Sequence, residues 1–98
     1  MGKDEQKDEL MLNGLYEIFL SCQSKEDIKV LLDDLCTHKE IEQMAQRIAA
    51  AEMLKQGKTY AEIIEQTDIS SATLSRVSRC VRYGSGGYEK FIKGKSKE

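Results

Sequence analysis

The residues in this chain best equipped for chemistry form one short run of hydroxyls and arginines: Ser71, Thr73, Ser75, Arg76, Ser78, Arg79 and Arg82. Nothing in the sequence groups a nucleophile, a base and an orienting acid. His38 is the single histidine, and no serine or cysteine has an evident base partner, so bond-making chemistry is not expected. Small hydroxyls and arginines are suited instead to hydrogen bonding with a polyanion. Ser71, Ala72, Thr73 and Ser75, near the start of a helix, can approach base edges in a duplex groove. Arg76, Arg79 and Arg82, further along, can reach phosphates. Thr59 and Tyr60, at the start of the preceding segment, are also expected at phosphates. The competing reading is a solvated polar face on a purely structural helix pair.

Positioning these groups requires two helices and a tight turn between Thr59 and Tyr83. Thr59 followed by Glu62 is a capping box, which starts a helix carrying Ile63 and Ile64. Thr67-Asp68 breaks the pattern, because aspartate tolerates the left-handed backbone of a sharp turn. Ile69 returns to the core, and Ser70 or Ser71 caps a second helix with Leu74, Val77 and Val81 inward. The apolar spacing of Ile63, Ile69, Leu74 and Val77 packs two helices at a wide angle, which predicts a helix-turn-helix.

At 98 residues the chain is one small domain, with a core of a size that gains from dimerisation. It contains no proline and few aromatics, and its richness in helix formers argues an all-α fold. The formal net charge of −2 hides an asymmetry. Residues 1–37 set Lys3, Lys7, Lys25 and Lys29 against Asp4, Glu5, Asp8, Glu9, Glu17, Glu26, Asp27, Asp33 and Asp34. From Ile69 to Lys97, Arg76, Arg79, Arg82, Lys90, Lys93, Lys95 and Lys97 face only Glu89. Charge near a docking face counts for more than the total, since salt screens beyond about 10 Å. Cys22, Cys36 and Cys80 make no CxxC pair and read as small buried hydrophobes of a reducing, cytoplasmic protein. The charged N-terminus lacks the apolar segment of a signal peptide, and no run is long enough to span a membrane. No metal site and no cofactor are expected.

In chain order, residues 1–8 are expected to be a disordered arm, followed by a single helical domain over residues 9–93. A first helix from about Glu9 to Cys22 is apolar nearly all round: Leu10, Met11, Leu12, Leu15, Tyr16, Ile18, Phe19 and Leu20. Such a helix needs burial on several sides, which suggests insertion against a second subunit. Ser24 with Asp27 opens a helix over residues 25–36, and Thr37 with Glu40 opens a third that ends near Gln56 at Gly57. The third carries Ile41, Met44, Ala45, Ile48, Ala51 and Leu54 at helical spacing, and its run Ala49-Ala50-Ala51 permits a close helix crossing. Gly84 to Gly87 is a hinge, residues 88–93 form a last short helix, and residues 94–98 are expected to be a disordered tail.

Over about residues 9–92 the chain resembles the Trp repressor family, in particular its shorter Trp-repressor-like branch found in bacteria. The resemblance rests on the helix order, on QRIAAAEMLKQGKTYAEI leading into the helix pair, and more specifically on SSATLSRVSRCVRYGSGGY. It implies a six-helix intertwined homodimer whose first three and last helices share a core while two helix pairs project as reading heads. It places Ser71, Ala72, Thr73 and Ser75 at base-approaching positions and Arg79 and Arg82 along phosphates. The family's base-reading arginine on the preceding helix falls at Ala61, so the operator should differ from that of the Trp repressor. In the Trp repressor two arginines sandwich the indole of bound tryptophan. Arg47 and Arg76 match them, but the glycine that gives the ligand room is Val77. The candidate effector pocket is therefore Arg47, Arg76 and Val77, with tryptophan not expected as corepressor because the Val77 side chain takes the indole space.

The expected function is a regulator of transcription, a repressor in preference to an activator, binding double-stranded DNA as a homodimer. The alternative is a helix-turn-helix used as a protein-interaction module. Any corepressor, the operator and the regulated genes are not legible in the residues.

Overall fold

The computed structural model describes residues 3–93, which form six helices and, among those residues, no strand: α1 (Lys3–Ser21), α2 (Lys25–Leu35), α3 (His38–Lys55), α4 (Tyr60–Thr67), α5 (Ser71–Tyr83) and α6 (Gly87–Phe91). The all-α expectation holds. The expected tail over residues 94–98 lies outside the described residues. The chain divides into two compact units, Met1–Thr37 and His38–Glu98.

In the first unit, α1 begins at Lys3, so the arm expected to be disordered is helical over most of its length. Asp4 and Glu5 sit in the first turn, where carboxylates favour the helix dipole, and Glu, Lys and Gln are good helix formers. This local preference outweighs the lack of apolar residues. Ser24 caps α2 by accepting the Asp27 N–H at 3.0 Å, while Asp27 accepts the Gln23 N–H at 2.9 Å. Both helices expose their apolar faces. Leu10 is 74% exposed and Leu20 83%, and no described residue of α1 or α2 is buried. Leu31, Leu32, Cys22 and Cys36 are half-buried at best. This unit carries a hydrophobic stripe and no closed core.

The second unit has a core. Ala50 and Ala51 of α3 are fully buried against Ile63, Ile69, Leu74 and Val77 of the helix pair. The alanines let α3 cross α4 and α5 closely, as the small-residue run predicts. Ile48, at helical spacing on the same element, is 51% exposed. α3 ends in a Schellman motif: Gly57 takes φ +87° and donates to Leu54 O at 3.0 Å, and Lys58 N–H returns to Met53 O at 3.1 Å. At the other end, Gly84 allows the chain to leave α5. A Cβ there would run into the Cys80 carbonyl. α6 begins at Gly87 and ends at Phe91, one residue earlier and two shorter at its end than expected. Lys55 Nζ of α3 reaches Ile92 O at 2.8 Å just past that end and pairs with the Glu89 carboxylate at 3.4 Å.

Candidate nucleic-acid interface

The head is α4, a three-residue turn and α5, and both caps form as the residues dictate. Thr59 Oγ1 accepts the Glu62 N–H at 3.2 Å, and the Thr59 N–H donates to Glu62 Oε1 at 2.9 Å. That backbone donor holds the Glu62 carboxyl below its ordinary range against an opposing cost of desolvation, with lesser help from the Thr59 hydroxyl and from Lys58. Asp68 closes α4 in the left-handed region at φ 63°, donating its N–H to Ile64 O at 2.9 Å. Thr67 then braces the turn. Its hydroxyl donates to Ile63 O at 2.7 Å and accepts the Ile69 N–H at 3.2 Å. Ile69 is buried, pinning the turn to the core.

Of the two candidate caps for α5, Ser70 is the one used. Its Oγ accepts the Thr73 N–H at 3.1 Å and donates to Thr73 Oγ1 at 2.9 Å. Leu74 and Val77 point inward, and the opposite face presents Ser71, Ala72, Ser75, Arg76, Arg79 and Arg82 to solvent. Thr73 lies at the edge of that face, half-buried. Ser78, read from sequence as part of the polar face, is buried at 8% exposure. It falls four residues after Leu74 and three before Val81, on the apolar stripe's own side of the helix. Cys80 departs in the other direction, being exposed where a buried thiol was expected. Thr59 and Tyr60 are exposed at the start of α4, and the Thr59 hydroxyl is already engaged by the cap.

Arg47 and Arg76 are both exposed, while Val77 is 3% exposed within the core. A polar cleft of about 300 Å³ groups Arg47 with Gln46, Asp68, Ser70 and Thr73, and neither Arg76 nor Val77 lines it. Sequence reasoning missed Gln46, whose Nε2 donates to Thr67 O at 3.1 Å and ties α3 to the turn. No local signal announces that bond, since its partner lies 21 positions away. Among the described residues no group of three His, Cys, Asp or Glu side chains could hold a metal, and no helix is long and apolar enough to cross a membrane.

A capped helix pair closed by a left-handed turn, with a polar, arginine-bearing face on its second helix, defines a helix-turn-helix protein. The family described as Trp repressor protein matches residues 11–96, and this chain belongs to that family. Its relatives include the "Uncharacterized protein YerC" of Bacillus subtilis (strain 168), 45% identical over 78 residues that span 80% of this chain and 75% of that protein. Among solved structures, one provisionally named a Trp repressor, from Staphylococcus aureus, is 36% identical with a TM-score of 0.82, covering 92% of this chain and 90% of its own. A TrpR like protein from Eubacterium eligens ATCC 27750 is 32% identical with a TM-score of 0.81, over 86% of this chain and 93% of its own.

Proposed function

We propose that this protein is a sequence-reading DNA-binding regulator of transcription, acting as a homodimer on a near-palindromic operator, most simply as a repressor. The observation that carries the reading is the face of α5, where Ser71, Ala72, Ser75, Arg76, Arg79 and Arg82 stand exposed on a helix fixed by Leu74 and Val77. Membership of a family of transcription regulators supports it. Ser71, Ala72, Thr73 and Ser75 read bases, and Thr59, Tyr60, Arg76, Arg79 and Arg82 meet phosphates. The arginines supply affinity through counterion release, and the hydroxyls supply preference. The docking expected is that established for the Trp repressor itself, with two heads in major grooves about 34 Å apart.

The homodimer is supported by the uncovered apolar stripe of α1, which no fold of a single chain this small leaves in water without cost. Because Val77 is packed in the core, tryptophan does not serve as corepressor; Val77→Gly combined with a ligand screen tests that point. The whole reading is tested by selecting fragments of genomic DNA with the full chain at about 0.15 M salt. Recovery of a shared inverted repeat supports it. Recovery of unrelated fragments, with binding lost as salt rises and unrestored by amino-acid mixtures, favours a head that docks on protein.

A further inference from the structure

α6 is too short to hold itself. A helix of five residues closes few backbone bonds of its own and is marginal without outside contacts. Its first turn has no side-chain cap, because the N-cap position is Gly86, in the left-handed region at φ 100°. Its other end is capped from a different helix. Lys55, in the last turn of α3, donates to Ile92 O at 2.8 Å and reaches Tyr88 O and Glu89 O at 3.4 Å. The last carbonyls of a helix lack partners within it and form the negative end of its dipole, so an ammonium is suited to that place. The Lys55 side chain is only 16% exposed, whereas that of Glu89 is 72% exposed. Water screens the Lys55–Glu89 pair, which leaves the carbonyls as the contact that counts.

The rest of α6 is lightly attached. Tyr88 and Ile92 pack half-buried on the core, and Phe91 is 73% exposed. An apolar groove of about 370 Å³ separates α6 from Ile48 and Cys80. Gly84, Ser85 and Gly86 join α6 to α5, a connection with little stiffness of its own. None of the buried core residues, from Ala50 to Val77, lies in α6.

We infer that α6 is a strap on a Gly-Ser-Gly hinge, held shut by the Lys55 ammonium on its C-terminal carbonyls. Removing that cap releases α6 alone. Tyr88 and Ile92 leave the core and the groove loses one wall, while α4 and α5 stay folded. One charge on α3 thus sets the state of the last helix. The inference goes beyond the regulator reading and does not depend on DNA binding.

The experiment is amide hydrogen exchange of the full chain, read by NMR as protection factors, for the wild type, Lys55→Met and Glu89→Gln. The Lys90 and Ile92 amides, bonded to Gly86 O and Tyr88 O, report on α6; those of Ile63 and Leu74, bonded to Thr59 O and Ser70 O, report on the helix pair. Methionine keeps an apolar stem of similar length and removes the charge. Lys55→Met should lower protection at Lys90 and Ile92 by about tenfold or more, the scale of a hydrogen bond to a charged group, and leave Ile63 and Leu74 unchanged. Glu89→Gln should lower it by no more than about threefold, as expected for an exposed pair. Unprotected Lys90 and Ile92 amides in the wild type, or unchanged protection in Lys55→Met, would show that the cation latches nothing. Equal losses at all four amides would make α6 part of the core and not a strap. A loss in Glu89→Gln as large as in Lys55→Met would put the latch in the ion pair. Each of these results overturns the inference.

Discussion

The two units of this chain solve opposite problems. Residues 38–93 close a core around Ala50, Ala51, Ile63, Ile69, Leu74 and Val77, and use their polar residues for caps and an outward face. Residues 3–37 do the reverse, leaving Leu10, Leu20 and Val30 in solvent and carrying nine of the chain's 17 acidic residues. The head can hold its shape from within, whereas the N-terminal helices need something to cover them. In the proposed homodimer a second copy supplies that cover. Acidic residues on this unit repel phosphates, while the basic face of α5 attracts them.

The sharpest way to break this contrast is to make the stripe polar. Leu15→Asp with Phe19→Asp should abolish association and melt α1, while α4 and α5 keep their hydrogen-exchange protection. Each such side chain stabilises by roughly 1.5–3 kcal/mol when buried and counts twice in a homodimer, so this effect is the largest. Sedimentation and hydrogen exchange on the same sample read both halves of the prediction. Ile63→Ala or Leu74→Ala attacks the other unit. Either should cost about 2–5 kcal/mol of head stability and remove DNA binding with association retained, as seen by denaturant titration beside sedimentation.

Smaller effects sharpen the division of labour on α5. Arg79→Ala or Arg82→Ala should weaken binding to every duplex alike and lower the salt slope by about 2, one phosphate contact per head, whereas Thr73→Ala should change which sequence is preferred. Titrations of binding against salt on several duplexes separate the two behaviours. The smallest effect is at the start of α4. The folded Glu62 carboxyl titrates below its unfolded value, so its capping contribution is present above the unfolded pKa, about 4.3, and is lost as pH falls through the folded one. Glu62→Gln should flatten that part of the head's stability profile in acid, measured by thermal melts between about pH 2 and 5.

How much of this was legible in the residues follows from the range of the interactions. The head was readable because its signals are local: Thr59 and Glu62 are three apart, Asp68 marks the left-handed turn, and Leu74 and Val77 share a stripe. The family strings added the same boundaries independently. What escaped depends on partners far along the chain. Gln46 finds Thr67, Lys55 finds Ile92, and neither residue type carries a sign of that at its own position. Ser78 and Cys80 show a different limit, since a hydroxyl sits at the edge of the buried stripe and a thiol outside it. Polarity alone misassigns residues where helix faces meet. The start of α1 was misplaced because a charged, apolar-poor run can still be a good helix former.

Hydroxyl-radical footprinting of the full chain on its best selected duplex is the decisive test of paired, sequence-reading heads. Two protected patches on one side of the DNA, centred about 34 Å apart and related by the operator's symmetry, are the predicted result. A single patch, or uniform weak protection that disappears with added salt, would contradict it.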